Sequence, residues 1–179
     1  MLKNYLFLGF LTLLLIIGMT VNISALELSE MDLLGGVAYT TFNIDSSHID
    51  LEDINNAAPG LYIGGNYPLD YRTNLIIKYE GFRSDLTLNS FLALTSYSLE
   101  NNLAITGGLG YYTGDIVEGT TDLNGNIGYL LGIDYEREFI ENINLKAGID
   151  YRILEMDYGE EEILDLSGPV LSAGVNYQF

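Results

Sequence analysis

Ser172-Ala173-Gly174-Val175-Asn176-Tyr177-Gln178-Phe179 is the stretch whose reading decides the fold. Apolar or small side chains (Ala173, Val175, Tyr177, Phe179) alternate with polar or tiny ones (Ser172, Gly174, Asn176, Gln178). A period of two is that of a β-strand with one greasy and one wet face. An aromatic end is unusual for a soluble chain, whose ends are mostly polar and loosely ordered. It suits a membrane–water interface, where Tyr177 and Phe179 can be apolar on one side and wet on the other.

The same alternation recurs upstream. Strands are expected near residues 33–42, 60–67, 71–82, 86–98, 103–112, 126–137, 143–155 and 169–179. Their number is even, and each is about as long as the 9–11 residues that a tilted membrane strand requires. The connections Pro68–Asp70, Glu100–Asn102 and Glu138–Asn142 are short, whereas Asn43–Pro59, Thr113–Gly125 and Met156–Gly168 are long. Only Arg83–Asp85 breaks the rule, being short on the long side. Short turns on one rim and long loops on the other predict an all-β fold, an eight-stranded antiparallel up-and-down transmembrane β-barrel.

The two faces of each strand test this more sharply. In the seventh segment Ile143, Leu145, Ala147, Ile149, Tyr151 and Ile153 share one parity, and Asn144, Lys146, Gly148, Asp150, Arg152 and Leu154 the other. In the third, fifth, sixth and seventh segments no charge falls on the apolar parity, where Lys or Arg facing mid-depth lipid would cost ~2–4 kcal/mol. The wet parity carries Lys78, Glu80, Asp134, Glu136, Lys146, Asp150 and Arg152, three bases and four acids. An eight-stranded barrel is just wide enough for side chains to fill. Unpaired buried charge is costly, so these seven are expected to form a charge network in the lumen. Aromatic girdles are expected from Tyr67, Tyr71 and Tyr135 at the short-turn end and Tyr79, Tyr111, Tyr129 and Tyr151 toward the long loops. In the fourth segment Leu86, Leu88, Leu92 and Leu94 oppose Phe91 and Tyr97, so the pattern leaves its lipid face open. The first segment, around Gly35-Gly36, leaves its register open.

Residues 1–25 read as a secretory signal, with Lys3, the apolar run Leu6–Ile17 and the small cleavage end Ile23-Ser24-Ala25. Residues 26–179 are then one barrel domain. The absence of Cys excludes disulfides, thiolate metal sites and a lipid-modified cysteine. The chain has 7 Lys and Arg against 25 Asp and Glu, a net charge of −18. Nucleic acid needs basic patches and is not an expected partner. The acidity fits solvated loops; cation binding and adaptation to high salt are the alternatives.

The pattern Ser172-x-Gly174-x-x-Tyr177-x-Phe179 resembles the C-terminal assembly signal of the small outer-membrane β-barrel family, the OmpA- and OmpX-type eight-stranded proteins. All four specified positions match, and the likeness of pattern extends over residues 26–179. The resemblance implies insertion by the outer-membrane assembly machinery, outer-membrane lipid around the barrel, periplasmic termini and extracellular long loops. OmpA itself carries a peptidoglycan-binding domain after its barrel. Nothing follows Phe179 here, so cell-wall anchoring is not carried over.

His48, in Asp45-Ser46-Ser47-His48-Ile49-Asp50, places Ser, His and Asp in one loop. Sequence neighbours do not make a catalytic triad, which needs nucleophile, base and orienting group held in reach of one another. Asp157, Glu160, Glu161, Glu162 and Asp165 could offer weak oxygen ligation to Ca²⁺ or Mg²⁺, but their spacing matches no EF-hand. Gly64-Gly65 and Gly107-Gly108 fit no phosphate loop and read as points of close strand approach. No cofactor and no catalytic residue are expected. The leading role is structural, surface-shielding or adhesive. A narrow pore is the alternative; a lipocalin-like carrier, which would want apolar residues inside, and a barrel-type lipid-modifying enzyme are weaker ones.

Overall fold

Alternation becomes a ladder wherever the wet and greasy parities persist. The computed structural model describes residues 31–42, 56–100, 102–116, 121–158 and 162–179. Among the described residues ten strands run in chain order: β1 (Asp32–Thr41), β2 (Ala57–Pro68), β3 (Thr73–Arg83), β4 (Leu86–Ser98), β5 (Leu103–Ile116), β6 (Thr121–Ile140), β7 (Ile143–Ile153), β8 (Glu155–Tyr158), β9 (Glu162–Asp165) and β10 (Gly168–Tyr177). Each of β1 to β6 pairs antiparallel with the next; β7 then pairs with β10, and β10 with β1. The sheet therefore closes on itself as an eight-stranded barrel and leaves no edge around that ring. β8 and β9 prolong β7 and β10 as a hairpin above the rim, docked on β6 through Leu123↔Tyr158 and Asn124↔Asp157.

Tight turns close one end. Asn102 and Asn142 take the left-handed conformation, φ 65° at each, which Asn tolerates better than most residues. At the β2–β3 turn the Asp70 carboxylate accepts from the amides of Arg72 (2.7 Å) and Thr73 (2.8 Å). The Arg72 amide, first among these partners, holds the Asp70 carboxyl below the usual range. This side-chain closure keeps residues 69–72 out of the ladder, so Tyr71 lies in the turn rather than at a strand start as its alternation suggested.

The opposite end departs from the expected long loops. The described residues within 113–125 and 156–168 are largely strand: β5 runs on to Ile116, β6 begins at Thr121, and β8 and β9 pair with each other. A bulge between Tyr112 and Gly114 shifts the register there and breaks the simple alternation. β10 ends at Tyr177; Gln178 donates its amide to the Asn142 carbonyl at 2.9 Å, and Phe179 stacks edge-on against Tyr177.

Outside, aliphatic and aromatic side chains cover the mid-height of the wall. Along β6 the outward residues Ile127, Tyr129, Leu131, Ile133 and Tyr135 span eight steps, roughly 26 Å at 3.3 Å per residue. At a ~40° tilt this is about 20 Å of height, close to the apolar band of a membrane barrel. Among the described residues the outward charges lie beyond this band, Arg83, Asp115 and Glu155 among them toward the loops and Arg137 toward the turns.

Pairing also settles the two open faces. On β4, Leu86, Leu88, Leu92 and Leu94 are buried inside, and Phe91 and Tyr97 face out. On β1, Leu34, Ala38 and Thr40 are buried inside, with Leu33, Val37 and Tyr39 outside.

Candidate functional site: the barrel interior

The inward parity of the strands builds the interior in four layers, each set by the residues that share one height. Nearest the tight turns is a vestibule of about 520 Å³, lined by Asp32, Asn66, Asn74, Glu136, Asn144 and Asn176 among others. Two carboxylates are held there by amides. Asn176 Nδ2 donates to Asp32 Oδ2 at 3.2 Å and Glu136 Oε1 at 2.9 Å. Asn66 donates to the same Asp32 oxygen at 3.3 Å, and Asn144 to Glu136 at 2.8 Å. Distributed amide donors let acids stand close together inside a sheet without a matching number of bases.

Above the vestibule lies the charged layer. Lys146 Nζ stands 3.1 Å from Asp134 Oδ2, which also accepts the Thr106 hydroxyl at 2.6 Å. Lys78 Nζ lies 2.7 Å from Glu80 Oε1 and 5.2 Å from the centre of the Tyr62 ring. Asp150 is buried in the same layer, over Gly132. Gly64 and Gly108 leave the wall thin. A Cβ on Gly64 would meet the Lys78 Cα at 2.9 Å, and one on Gly108 the Leu94 Cα at 2.8 Å. The remaining void, bordered by Leu34, Tyr62, Lys78, Asp134 and Asp150, is only about 10 Å³. That is at most room for a single water.

The third layer is one side chain and its surroundings. Arg152 is fully buried. Its Nη2 donates to Thr40 Oγ1 at 2.6 Å, and that hydroxyl donates onward to the Pro169 carbonyl at 3.0 Å. The guanidinium carbon lies 5.1, 5.3 and 5.8 Å from the ring centres of Phe42, Phe82 and Tyr112. Three aromatic faces stabilise the cation where water is excluded. Last comes an apolar cap of Leu86, Leu88, Ile116, Leu123, Leu154, Met156, Leu164 and Leu166, all buried. It continues above the barrel between the prolonged strands.

All seven lumen residues singled out from the sequence therefore face inward: Lys78, Glu80, Asp134, Asp150 and Arg152 are buried, and Glu136 and Lys146 half-buried. The structure joins four of them as two ion pairs, places Glu136 in the amide ring, and surrounds Arg152 with three aromatic rings, with the Glu80 carboxylate acting on it from beyond ion-pair distance. The girdle tyrosines face outward, Tyr71 from its turn. Of the assembly-signal positions, Ser172 and Gly174 point into the barrel and Tyr177 and Phe179 away from it. His48, Glu160 and Glu161 fall outside the described residues. Asp165 gives a carboxylate oxygen to the Ser167 amide at 2.8 Å. Among the described residues no group of three or more His, Asp or Glu is placed to hold a metal ion.

The amide ring, the aromatic surround of Arg152 and the apolar cap escaped sequence reasoning. The signal was present: on the wet parity, apolar residues follow the charges toward the loops, Phe82 after Glu80 and Leu154 after Arg152.

No protein-family model matches the chain, and neither does any curated protein sequence. Solved structures do. Neisserial surface protein A is 17% identical, with 84% of this chain and 97% of that one covered and a TM-score of 0.61. OprG from Pseudomonas aeruginosa is 12% identical over 83% and 95%, with a TM-score of 0.60. Ail, the attachment invasion locus protein of Yersinia pestis, solved with the heparin analogue sucrose octasulfate, is 13% identical over 84% and 99%, with a TM-score of 0.55. At such identities the likeness is one of fold, and the fold is that of the small eight-stranded outer-membrane β-barrels.

Proposed function

We propose that this chain is a closed, non-conducting outer-membrane β-barrel with a structural, surface-shielding or adhesive role and no catalytic one. The observation that carries the reading is the packed interior. Among the described residues the void in the charged layer holds at most one water, and an ion entering from the vestibule would meet desolvated pairs and then leucines. The apolar outer band supports residence in a membrane, and the shared fold supports the outer one. The description of Ail as an attachment protein supports the adhesive alternative among the three roles.

Residues 1–25 are proposed to direct export, and Ser172, Gly174, Tyr177 and Phe179 to be read by the barrel assembly machinery. The termini would then be periplasmic and the β8–β9 hairpin extracellular. The test combines fractionation with planar-bilayer recording. An outer-membrane protein that migrates faster unboiled than boiled and leaves bilayers silent is the expected result. Reproducible conductance steps would replace this reading with the narrow pore, and a protein monodisperse in plain buffer would remove the membrane altogether.

A further inference from the structure

On the outside of the barrel, the first three strands enclose a trough of about 940 Å³. Its floor is the cross-strand pair Leu61↔Gly81, its sides are Val37 and Tyr39 on β1 and Tyr79 on β3, and Arg83 stands at its loop-side end. The depth comes from Gly81. A Cβ there would meet nothing nearer than Asn89 Oδ1 at 3.4 Å and the Tyr79 hydroxyl at 3.8 Å.

Arg83 is positioned rather than free to sweep. Its Nη1 donates to the Phe82 carbonyl at 3.2 Å and to Asn89 Oδ1 at 3.2 Å, and the same Oδ1 accepts the Tyr79 hydroxyl at 2.9 Å. Tyr79 and Asn89 thus brace the guanidinium where the apolar wall gives way to polar residues. Of the six Lys and Arg in residues 26–179, Lys78, Lys146 and Arg152 face the interior, and Arg72 and Arg137 lie at the turn end. Arg83 is the outward base at the loop end, on a chain that is otherwise strongly acidic.

We propose that this trough binds one anionic lipid, its acyl chain lying along Leu61 and Gly81 and its phosphate on Arg83. Guanidinium pairs with phosphate through two parallel N–H···O bonds, and a cation at the edge of an apolar wall meets that group at its natural depth. Burying an acyl chain gains little inside a membrane, where every alternative neighbour is also apolar. Selectivity must therefore come from the charge at one end and the shape of the trough along its length. Asp85, in the turn that follows, tempers the charge, so the preference over a zwitterionic lipid is modest, about fivefold, in the range of a partly exposed ion pair.

The proposal rests on the reading that the outer wall meets lipid, and the experiment separates the two. The full chain is folded in zwitterionic detergent. It is offered equimolar dimyristoyl phosphatidic acid and dimyristoyl phosphatidylcholine, and the retained lipid is counted by native mass spectrometry. The expected result is one retained phosphatidic acid, favoured about fivefold. Arg83→Ala should erase the preference and Arg83→Lys, a point charge without the two-pronged fork, keep only part of it. Gly81→Leu, which fills open space outside the wall, should lower retention of both lipids while the unboiled gel mobility stays unchanged. Equal retention by the wild type, or a preference that survives Arg83→Ala, overturns the lipid site alone. A chain that forms no heat-modifiable barrel in detergent overturns the membrane reading and the lipid site with it.

Discussion

The barrel closes where β1 meets β10, and two glycines face each other there: Gly36 is paired with Gly174. Both point inward, beneath the Tyr62 side chain. A Cβ built on Gly36 would stand 2.7 Å from the Gly174 Cα and 2.7 Å from the Tyr62 hydroxyl. One built on Gly174 would stand 2.9 Å from the Gly36 Cα, with the Gly35 carbonyl and Tyr62 hydroxyl closer still. The tyrosine can swing, but the backbone of the opposite strand cannot move without opening the seam. Gly36→Ala should therefore lose about 1–3 kcal/mol to overpacking. It regains about 0.5–1 kcal/mol because alanine has less backbone freedom to lose in a strand. The net expectation is a loss of about 1–2 kcal/mol, measured by reversible urea unfolding of the detergent- or vesicle-folded protein. Gly35→Ala is the control: its side chain would point outward and meet only the Tyr62 carbonyl oxygen, at 3.8 Å. It should be neutral or stabilised by up to about 0.5–1 kcal/mol. Gly174 belongs to the proposed assembly signal as well as to the seam, so a Gly174→Ala defect in cells is ambiguous. Gly36 lies outside that signal and isolates the steric cost. Wild-type stability in Gly36→Ala, or an equal loss in Gly35→Ala, would refute the seam argument.

Three further outcomes follow from the same geometry. Glu80→Ala removes the carboxylate 2.7 Å from buried Lys78, leaving it to Asp150 and Asp134, and should cost up to about 3–5 kcal/mol in urea unfolding, whereas the double substitution Lys78→Met with Glu80→Leu should recover most of that loss. Leu131→Arg, at the middle of the outward band on β6, should cost about 2–4 kcal/mol for refolding into vesicles. Tyr71→Arg, on the exposed turn, should cost no more than about 1 kcal/mol, and equal penalties would mean that the band is not where lipid lies.

Much of this fold is legible in the residues because a barrel wall is a two-sided object with a strict period of two. Ile143 to Ile153 and Ile127 to Tyr135 announce their faces without any knowledge of partners. β4 does not, since leucines occupy one parity and Phe91 and Tyr97 the other, and hydrophobicity alone cannot rank two apolar faces. What decides is register: Phe91 pairs with Tyr79 and Tyr111, both outward, so the leucines must turn inward. That information is non-local, and no window along the chain contains it. The strands beyond the rim were hidden for a related reason. Gly114, Asp115 and the bulge beside Tyr112 resemble loop chemistry, and only pairing with β6 shows them to be sheet.

The interior teaches the harder point. A wet parity read as uniformly wet implies a charged lumen from end to end, yet on strand after strand its character changes with height. Glu80 gives way to Phe82 and Asp150 and Arg152 to Leu154, while on β4 Ser90 is the last polar residue before Leu88 and Leu86, with Leu92 and Leu94 already apolar on its turn side. Because neighbouring strands run in opposite directions, this change reads forward along β3 and β7 and backward along β4. A scan along the chain averages it away. Folded into a barrel, the three directions agree, and the apolar ends converge at the loop side into one core. That convergence is why Arg152 sits among Phe42, Phe82 and Tyr112, with Glu80 acting on it from the charged side: it lies where the charged layer meets the cap. In the proposed non-conducting barrel, the apolar end interrupts a wet path that starts at the polar one. That closure depends on how side chains are ordered by height, and Leu88→Asp with Leu154→Asn should weaken it. If that variant folds and still leaves a bilayer silent while the charged layer beneath is also made small by Lys78→Ala with Glu80→Ala, the cap is not what seals the barrel.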